Sequence, residues 1–422
     1  MKKIIIFLII FIHHFSIHSQ WLQQTSGTSN NLKSINFINA NTGFCVGSGS
    51  TILKTTNGGA NWVTLISPVQ TNFDYVRMFS VSNVIIGSVS GNLIVRSYDG
   101  GTTMENFVIN IPGNETKKKV QFVSFLNGFF LTGAKIYKTT DGGINWNPYS
   151  TNVGNRDMCF INENTGWLCN AYTIPYPPPS GTTYSEVRLT VNGGANWEVL
   201  VSIQEFSFSI SRIFFIDNTN GFYNGFVSSS LARTNNGGYS WNAGAYGAGS
   251  YKNYYNTSFP NSNTGWFIGD QLIKTTNGGL NWNLMTTSFG SVFNGIHFID
   301  TSTGWMVSNS GLIIKTTTGG LSGISIISSE IPSQFSLSQN YPNPFNPTTK
   351  IKFQIPPSLS IAQTFLSVYD ALGREVTTLV NQQLKPGTYE ASWDASNFPS
   401  GVYFYKLSSG DFVETKKMVI IK

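Results

Sequence analysis

Lys54-Thr55-Thr56-Asn57-Gly58-Gly59-Ala60-Asn61-Trp62 is the stretch that decides the fold, because the chain keeps rewriting it. It returns at Lys138 to Trp146 and Lys274 to Trp282, and with looser spelling at Leu189 to Trp197 and Arg233 to Trp241. Arg96 to Met104 is a worn copy, and Lys315 to Gly320 a truncated one. The first glycine of each pair falls at 58, 100, 142, 193, 237, 278 and 319, so the steps are 42, 42, 51, 44, 41 and 41 residues. Seven copies near that period predict a repeat architecture whose unit is a four-stranded propeller blade. Asn57 has a short amide that bonds its own backbone two residues on. Gly58 and Gly59 tolerate the positive φ of a tight connection, and Trp62 opens the next strand with a large ring to bury.

A second pair of positions places the other strands. Phe37 stands six residues before Gly43, and the offset recurs at Phe122/Gly128, Phe160/Gly166, Phe215/Gly221, Phe259/Gly265 and Phe298/Gly304. Each unit therefore reads as inner strand, Asn/Thr/Gly turn, second strand, third strand, Asn-Gly-Gly hairpin and Trp-led outer strand. The seventh copy lacks its tryptophan strand, whereas Gln20-Trp21 has no hairpin before it. Trp21 to Gly43 and Trp282 to Gly304 are both 22 residues. The segment at Trp21 is thus expected to supply the outer strand of the last blade and to remove two open sheet edges.

The repeat resembles the Asp-box of bacterial neuraminidase repeats: Ser/Thr, any, Asp/Asn, any, Gly, any, Thr/Asn, Trp. Its structural residues here are Asn57, Gly59 and Trp62; Asp141, Gly143 and Trp146; Asn192, Gly194 and Trp197; Asn236, Gly238 and Trp241; and Asn277, Gly279 and Trp282. The Lys-Thr-Thr-Asn-Gly-Gly wording is most similar to the propellers of the photosystem II assembly and stability factor family. The resemblance implies a seven-bladed β-propeller over residues 20–323. In such repeats the box is a hairpin, which by itself says nothing about catalysis.

Residues 1–19 read as a signal peptide: Lys2 and Lys3, then the apolar run Ile4 to Ile12, too short to span a bilayer. The mature chain is expected to be exported, monomeric and without a transmembrane segment. Its net charge falls from +6 to +4, and His297 is the histidine left after His13, His14 and His18 depart. Only 11% of the residues are charged, so a nucleic-acid partner is not expected despite the basic balance. Cys45, Cys159 and Cys169 are too few for a disulfide framework and too scattered for zinc. They are read as small buried hydrophobes, with a Cys159–Cys169 cross-strand disulfide as the alternative. No metal and no cofactor are expected.

Residues 324–333 read as a linker, although Ile324, Ile326 and Ile327 would also suit a short strand. Beyond it, alternating apolar strands and Gly/Pro turns predict a small β-sandwich over 334–422. Asn340-Tyr341-Pro342-Asn343-Pro344-Phe345-Asn346-Pro347, Asp370-Ala371-Leu372-Gly373-Arg374, Pro386-Gly387-Thr388-Tyr389 and Gly401-Val402-Tyr403-Phe404-Tyr405 carry a resemblance to the type A C-terminal sorting domain of the type IX secretion system. That resemblance implies Sec export to the periplasm, passage by the type IX machinery as partner, and a secreted or cell-surface product. The fold class is all-β throughout, a propeller followed by an Ig-like sandwich.

The expected function is extracellular binding of a protein or polysaccharide. The alternative is a glycoside hydrolase of the sialidase or xyloglucanase-like Asp-box type, which needs two carboxyl groups facing one sugar. His297, in Gly295-Ile296-His297-Phe298, reads as packing rather than catalysis. Lys54, Arg96, Lys138, Arg233, Lys274 and Lys315 share one box position, which predicts a solvated basic rim. Ligand contact is expected on the opposite rim, where inner strands begin. That rim includes a 12-residue insertion around Pro177-Pro178-Pro179 in the fourth repeat. The candidates are Arg77, Arg156, Asp157, Tyr176, Tyr184, Arg212, Tyr251 and Tyr254: tyrosines for stacking, arginine and aspartate for orienting polar groups.

Overall fold

The computed structural model describes residues 21–422 apart from 113–114, 152–153, 175–181, 206–209, 226–230, 244–252, 286, 288, 290–291, 321–323, 329–330, 358–362, 385 and 396–397. The predicted signal segment, the proline run, Tyr176 and Tyr251 lie outside the described residues. The chain divides into two compact units, one of them Trp21–Gly320 and the other containing the C-terminal residues.

Among the described residues the first unit holds seven four-stranded antiparallel sheets. The first runs Leu32–Phe37, Gly43–Gly47, Ile52–Thr55 and Val63–Thr64 from inner to outer strand. In the seventh, Phe293–Phe298, Gly304–Ser308 and Ile313–Thr316 are completed by Leu22–Gln24, which pairs with the third strand. The outer strand missing from the last repeat therefore comes from the other end of the array.

The six-residue Phe/Gly offset follows from this register. Phe37 is the cross-strand partner of Gly43, and its ring lies over the glycine, where a Cβ would approach to 2.5 Å. The other face of each Phe carries the neighbouring sheet. Phe37 stacks on Trp305, Phe160 on Phe129, Phe215 on Trp167 and Phe298 on Trp266, with centroids 3.5–3.6 Å apart. Each pairing buries two large aromatic faces between sheets.

The hairpin closes through a longer reach than expected, the Asn or Asp side chain bonding the amide four residues on rather than two. Thr55 Oγ1 accepts from the Gly59 amide at 2.9 Å, and Asn57 Oδ1 accepts from the Asn61 amide at 2.9 Å. Thr139/Asp141, Thr190/Asn192, Thr234/Asn236 and Thr275/Asn277 repeat the pair of bonds. Gly58 and Gly59 have φ of +69° and +90°, in the region that side chains resist.

The cations at the start of each hairpin depart from expectation. Five of the six do not form a solvated rim but tie their sheet to the next. Lys54 Nζ donates to the Gly100 carbonyl (2.7 Å), Arg96 to Asp141 (2.9 Å), Lys138 to Glu163 (2.9 Å), Arg233 to Gly278 (2.7 Å) and Lys274 to Gly319 (3.3 Å). Lys54, Lys138, Lys274 and Lys315 also lie over the aromatic ring directly across the ladder, Phe44, Phe129, Trp266 and Trp305. Three of these acceptors are carbonyls of positive-φ glycines, Gly100, Gly278 and Gly319, which a long cationic side chain reaches from the neighbouring sheet. Arg96 and Lys274 are consequently buried.

In the second unit, Ile324–Ser328 is a strand rather than a linker. It pairs with Gly387–Asp394 in a four-stranded sheet that also contains Thr348–Ile355 and Ser336–Leu337. A second sheet is formed by Glu375–Gln383, Gln363–Asp370, Gly401–Ser409 and Phe412–Ile420. Both sheets feed one core containing Phe353, Tyr389, Trp393, Leu366 and Tyr405. The Tyr405 hydroxyl donates to the Ser338 carbonyl and accepts from the Asn340 amide, seating the Asn-Tyr-Pro segment.

Candidate functional site: the channel wall and its entrance rim

The free edges of the inner strands would leave backbone N–H groups unpaired, and a buried orphan donor is costly. Side chains of the preceding sheet satisfy them. Asn36 Oδ1 accepts from the Met78 amide (2.9 Å), Gln121 Oε1 from Phe160 (3.0 Å), Cys159 Sγ from Phe215 (3.3 Å) and Ser258 Oγ from Phe298 (2.8 Å). His297 Nδ1 accepts from the Phe37 amide at 3.2 Å and so joins the seventh sheet to the first. Burial, with a smaller push from the Arg77 charge, pulls His297 down to about 4. The imidazole is thus held neutral and able to accept.

Two inner-strand positions break this belt. Arg77, on Tyr75–Met78, and Arg212, on Ile210–Phe215, have five N–H donors and no acceptor. The amides are served by other groups instead: Phe122 by the Tyr75 hydroxyl (2.9 Å) and Thr257 by Asn256 Oδ1 (2.8 Å). Both arginines are exposed, and neither is in an ion pair among the described residues. Arg77 lies over the Phe79 ring at 5.6 Å.

The remaining candidates separate. Asp157 is buried, bonded to Lys119 Nζ at 2.9 Å and to the Ile213 amide at 3.1 Å. It is a sheet-to-sheet tie, which its neighbourhood in sequence did not reveal. Arg156 is exposed beside it. Tyr254 is buried in an aromatic cluster, where burial first and Asp270 second push its hydroxyl up to about 12. Tyr184 stacks on Tyr172 (5.6 Å) along the long hairpin of Gly166–Ile174 and Thr182–Thr190. Cys45, Cys159 and Cys169 are free and buried. Cys159 faces Trp167 and Cys169 faces Asp157 across the ladder, so the two thiols are out of step for a bridge.

The rim at which inner strands begin holds an open polar cleft of about 300 Å³ between the first two sheets. Ser50, Gln70, Thr71, Asn72 and Ser90 line it, and Ser50 sits at φ +59°. Sequence reasoning missed this cleft because three separate stretches form it, a turn from each of the two sheets and the connection between them. Among the described residues, no group of three or more His, Cys, Asp or Glu side chains is placed to hold a metal. No helix among them is long and apolar enough to cross a membrane.

Residues 339–422 match the secretion system C-terminal sorting domain family. The chain carries a type IX sorting domain. That domain directs type IX secretion to the cell surface or the extracellular space. Residues 14–155 match the photosynthesis system II assembly factor YCF48 family. Trp21–Gly320 has the fold of solved propellers. YCF48 bound to D1 peptide is 16% identical with a TM-score of 0.54, covering 72% of this chain and 96% of its own. YCF48 from Cyanidioschyzon merolae is 18% identical with a TM-score of 0.52, over 70% and 98%. The GH74 xyloglucanase of Xanthomonas campestris is 10% identical with a TM-score of 0.51, over 80% and 60%. No curated protein matches the chain.

Proposed function

We propose that the propeller is an extracellular binding module, delivered by its sorting domain, that engages a protein or surface polysaccharide on the rim where the inner strands begin. One contrast supports this reading. On the hairpin rim the repeated cations are consumed by carbonyls of the next sheet. The opposite rim has an open polar cleft and the longest hairpin. Unequal loops on a rigid scaffold are the usual place for recognition. YCF48 has been solved bound to D1 peptide; for this chain that supports a propeller scaffold able to seat a partner, not the identity of the partner.

A hydrolase reading draws less support. It requires two carboxyl groups facing one sugar. On the described inner strands Asp157 stands at the wall already bonded to Lys119 and Ile213. Glu115 and Glu186 are each engaged by neighbours on their own sheets.

The test is to probe glycan and protein arrays with the secreted chain, then to repeat the binding with Gln70→Ala, Asn72→Ala, Tyr184→Ala and Arg212→Ala. Weakened binding at unchanged melting temperature is expected. Binding that survives these changes but disappears in Lys54→Met and Lys138→Met would move the site to the other rim.

A further inference from the structure

Arg77 and Arg212 accept no amide in the belt and form no ion pair among the described residues. Around the channel, inner-strand side chains accept bonds from the neighbouring strand's amides; an arginine cannot accept. In each case another group has taken over the amide, Tyr75 for Phe122 and Asn256 for Thr257. Phe214, two residues on from Arg212, holds its neighbour by stacking on Phe259 at 5.7 Å. The second and fifth sheets thus keep their contacts while releasing a guanidinium each.

Lys119, Asp157 and Arg212 stand on the inner strands of the third, fourth and fifth sheets in turn. The carboxylate there, Asp157, is already shared between Lys119 and the Ile213 amide. Arg77, on the second sheet, weighs on His297 of the seventh, with only the first sheet between them around the ring. Lys119 and Arg212, on the sheets either side of this one engaged carboxylate, leave the wall positive, and such fields are focused by a lined cleft.

We propose that the channel is an anion site in which Arg77 and Arg212 grip carboxylate groups of the ligand. Guanidinium forks match carboxylate geometry through paired N–H donors. Arg77 and Arg212 enter from the second and fifth sheets, on non-adjacent walls, so a ligand bearing more than one carboxylate suits the site better than a single acid. Such carboxylates belong either to a free polycarboxylic acid or to an acidic segment of a partner chain. This deepens the binding reading above and rests on it.

Titration calorimetry of the full secreted chain with citrate, with a tetraglutamate peptide and with glucose separates the outcomes. At least one carboxylate probe is expected to bind, more weakly as salt rises, and tenfold or more weakly in Arg77→Gln and in Arg212→Gln. Binding of citrate assigns the site to free acids; binding of the peptide alone assigns it to an acidic partner segment. Melting curves of the two variants, expected to match the parent without ligand, exclude unfolding as the cause. Absence of binding by both probes, or binding unchanged in both variants, overturns the proposal. A ligand found on arrays that binds both glutamine variants normally leaves the rim reading standing while the channel site fails.

Discussion

The Phe37 ring lies flat on Trp305, 3.6 Å between centres and 8° from parallel, so the first inner strand packs directly on the last sheet. The same junction holds the His297–Phe37 bond and the pairing of Leu22–Gln24 with Ile313–Thr316. Residues nearly three hundred positions apart in the chain therefore meet in one seam.

Trp21 anchors that seam. It is 1% exposed and packs edge-on against Phe298. Trp21→Ala is expected to cost about 3–5 kcal/mol, as large aromatic truncations do. Urea denaturation followed by tryptophan fluorescence measures it, and an unchanged midpoint would remove Trp21 from the closure.

His297 makes the seam sensitive to acid. Its folded value, about 4, lies below the ordinary 6.5, so between these values the unfolded chain binds a proton that the folded chain refuses. Stability is then lost as pH falls through that window, by up to about 3 kcal/mol for this group. Melting temperatures at pH 7, 5.5 and 4 should decline more in the parent than in His297→Gln. Equal slopes would sink the assignment.

Lys274 tests the clasp. Its ammonium, buried beside Trp266, donates to the Gly319 carbonyl. Lys274→Met keeps the stem and removes the donor, so a loss of about 1–3 kcal/mol is expected. Array binding by the same variant should be unaltered, since this rim is not the proposed contact face.

Gly43 tests the register pair. A Cβ there meets the Phe37 ring, which is itself pinned by Trp305 and cannot retreat. Gly43→Ala is expected to destabilise by about 1–3 kcal/mol through overpacking. The double change Gly43→Ala with Phe37→Leu should recover part of the loss in thermal denaturation.

Removing Leu321–Lys422 should strand the chain in the periplasm. The cut belongs before Ile324–Ser328, because that strand pairs inside the C-terminal unit and would be left with an open edge by a cut at 333. Cell fractionation reads the result; undiminished product in the medium would contradict the role of the sorting domain.

The sequence by itself determined the repeat, the strand order within each sheet, and the seventh sheet's need for a strand from Trp21. These follow from local chemistry: paired glycines, a side chain that bonds its own turn, and a Phe that must face a Gly across one hairpin. The tail was equally legible, because its turn phrases lie close together in the chain. Tertiary structure alone decided which polar residues are free. Lys54 and Lys274 look exposed in the text but donate to carbonyls that only the neighbouring sheet provides. Asp157 looks like a ligand-orienting acid but is enclosed between Lys119 and Ile213. Arg77 and Arg212 differ from Asn36 and His297 only once the facing amides are known. Hydrogen-bond satisfaction between sheets is settled by partners tens of residues away in the chain, so no local pattern could report it.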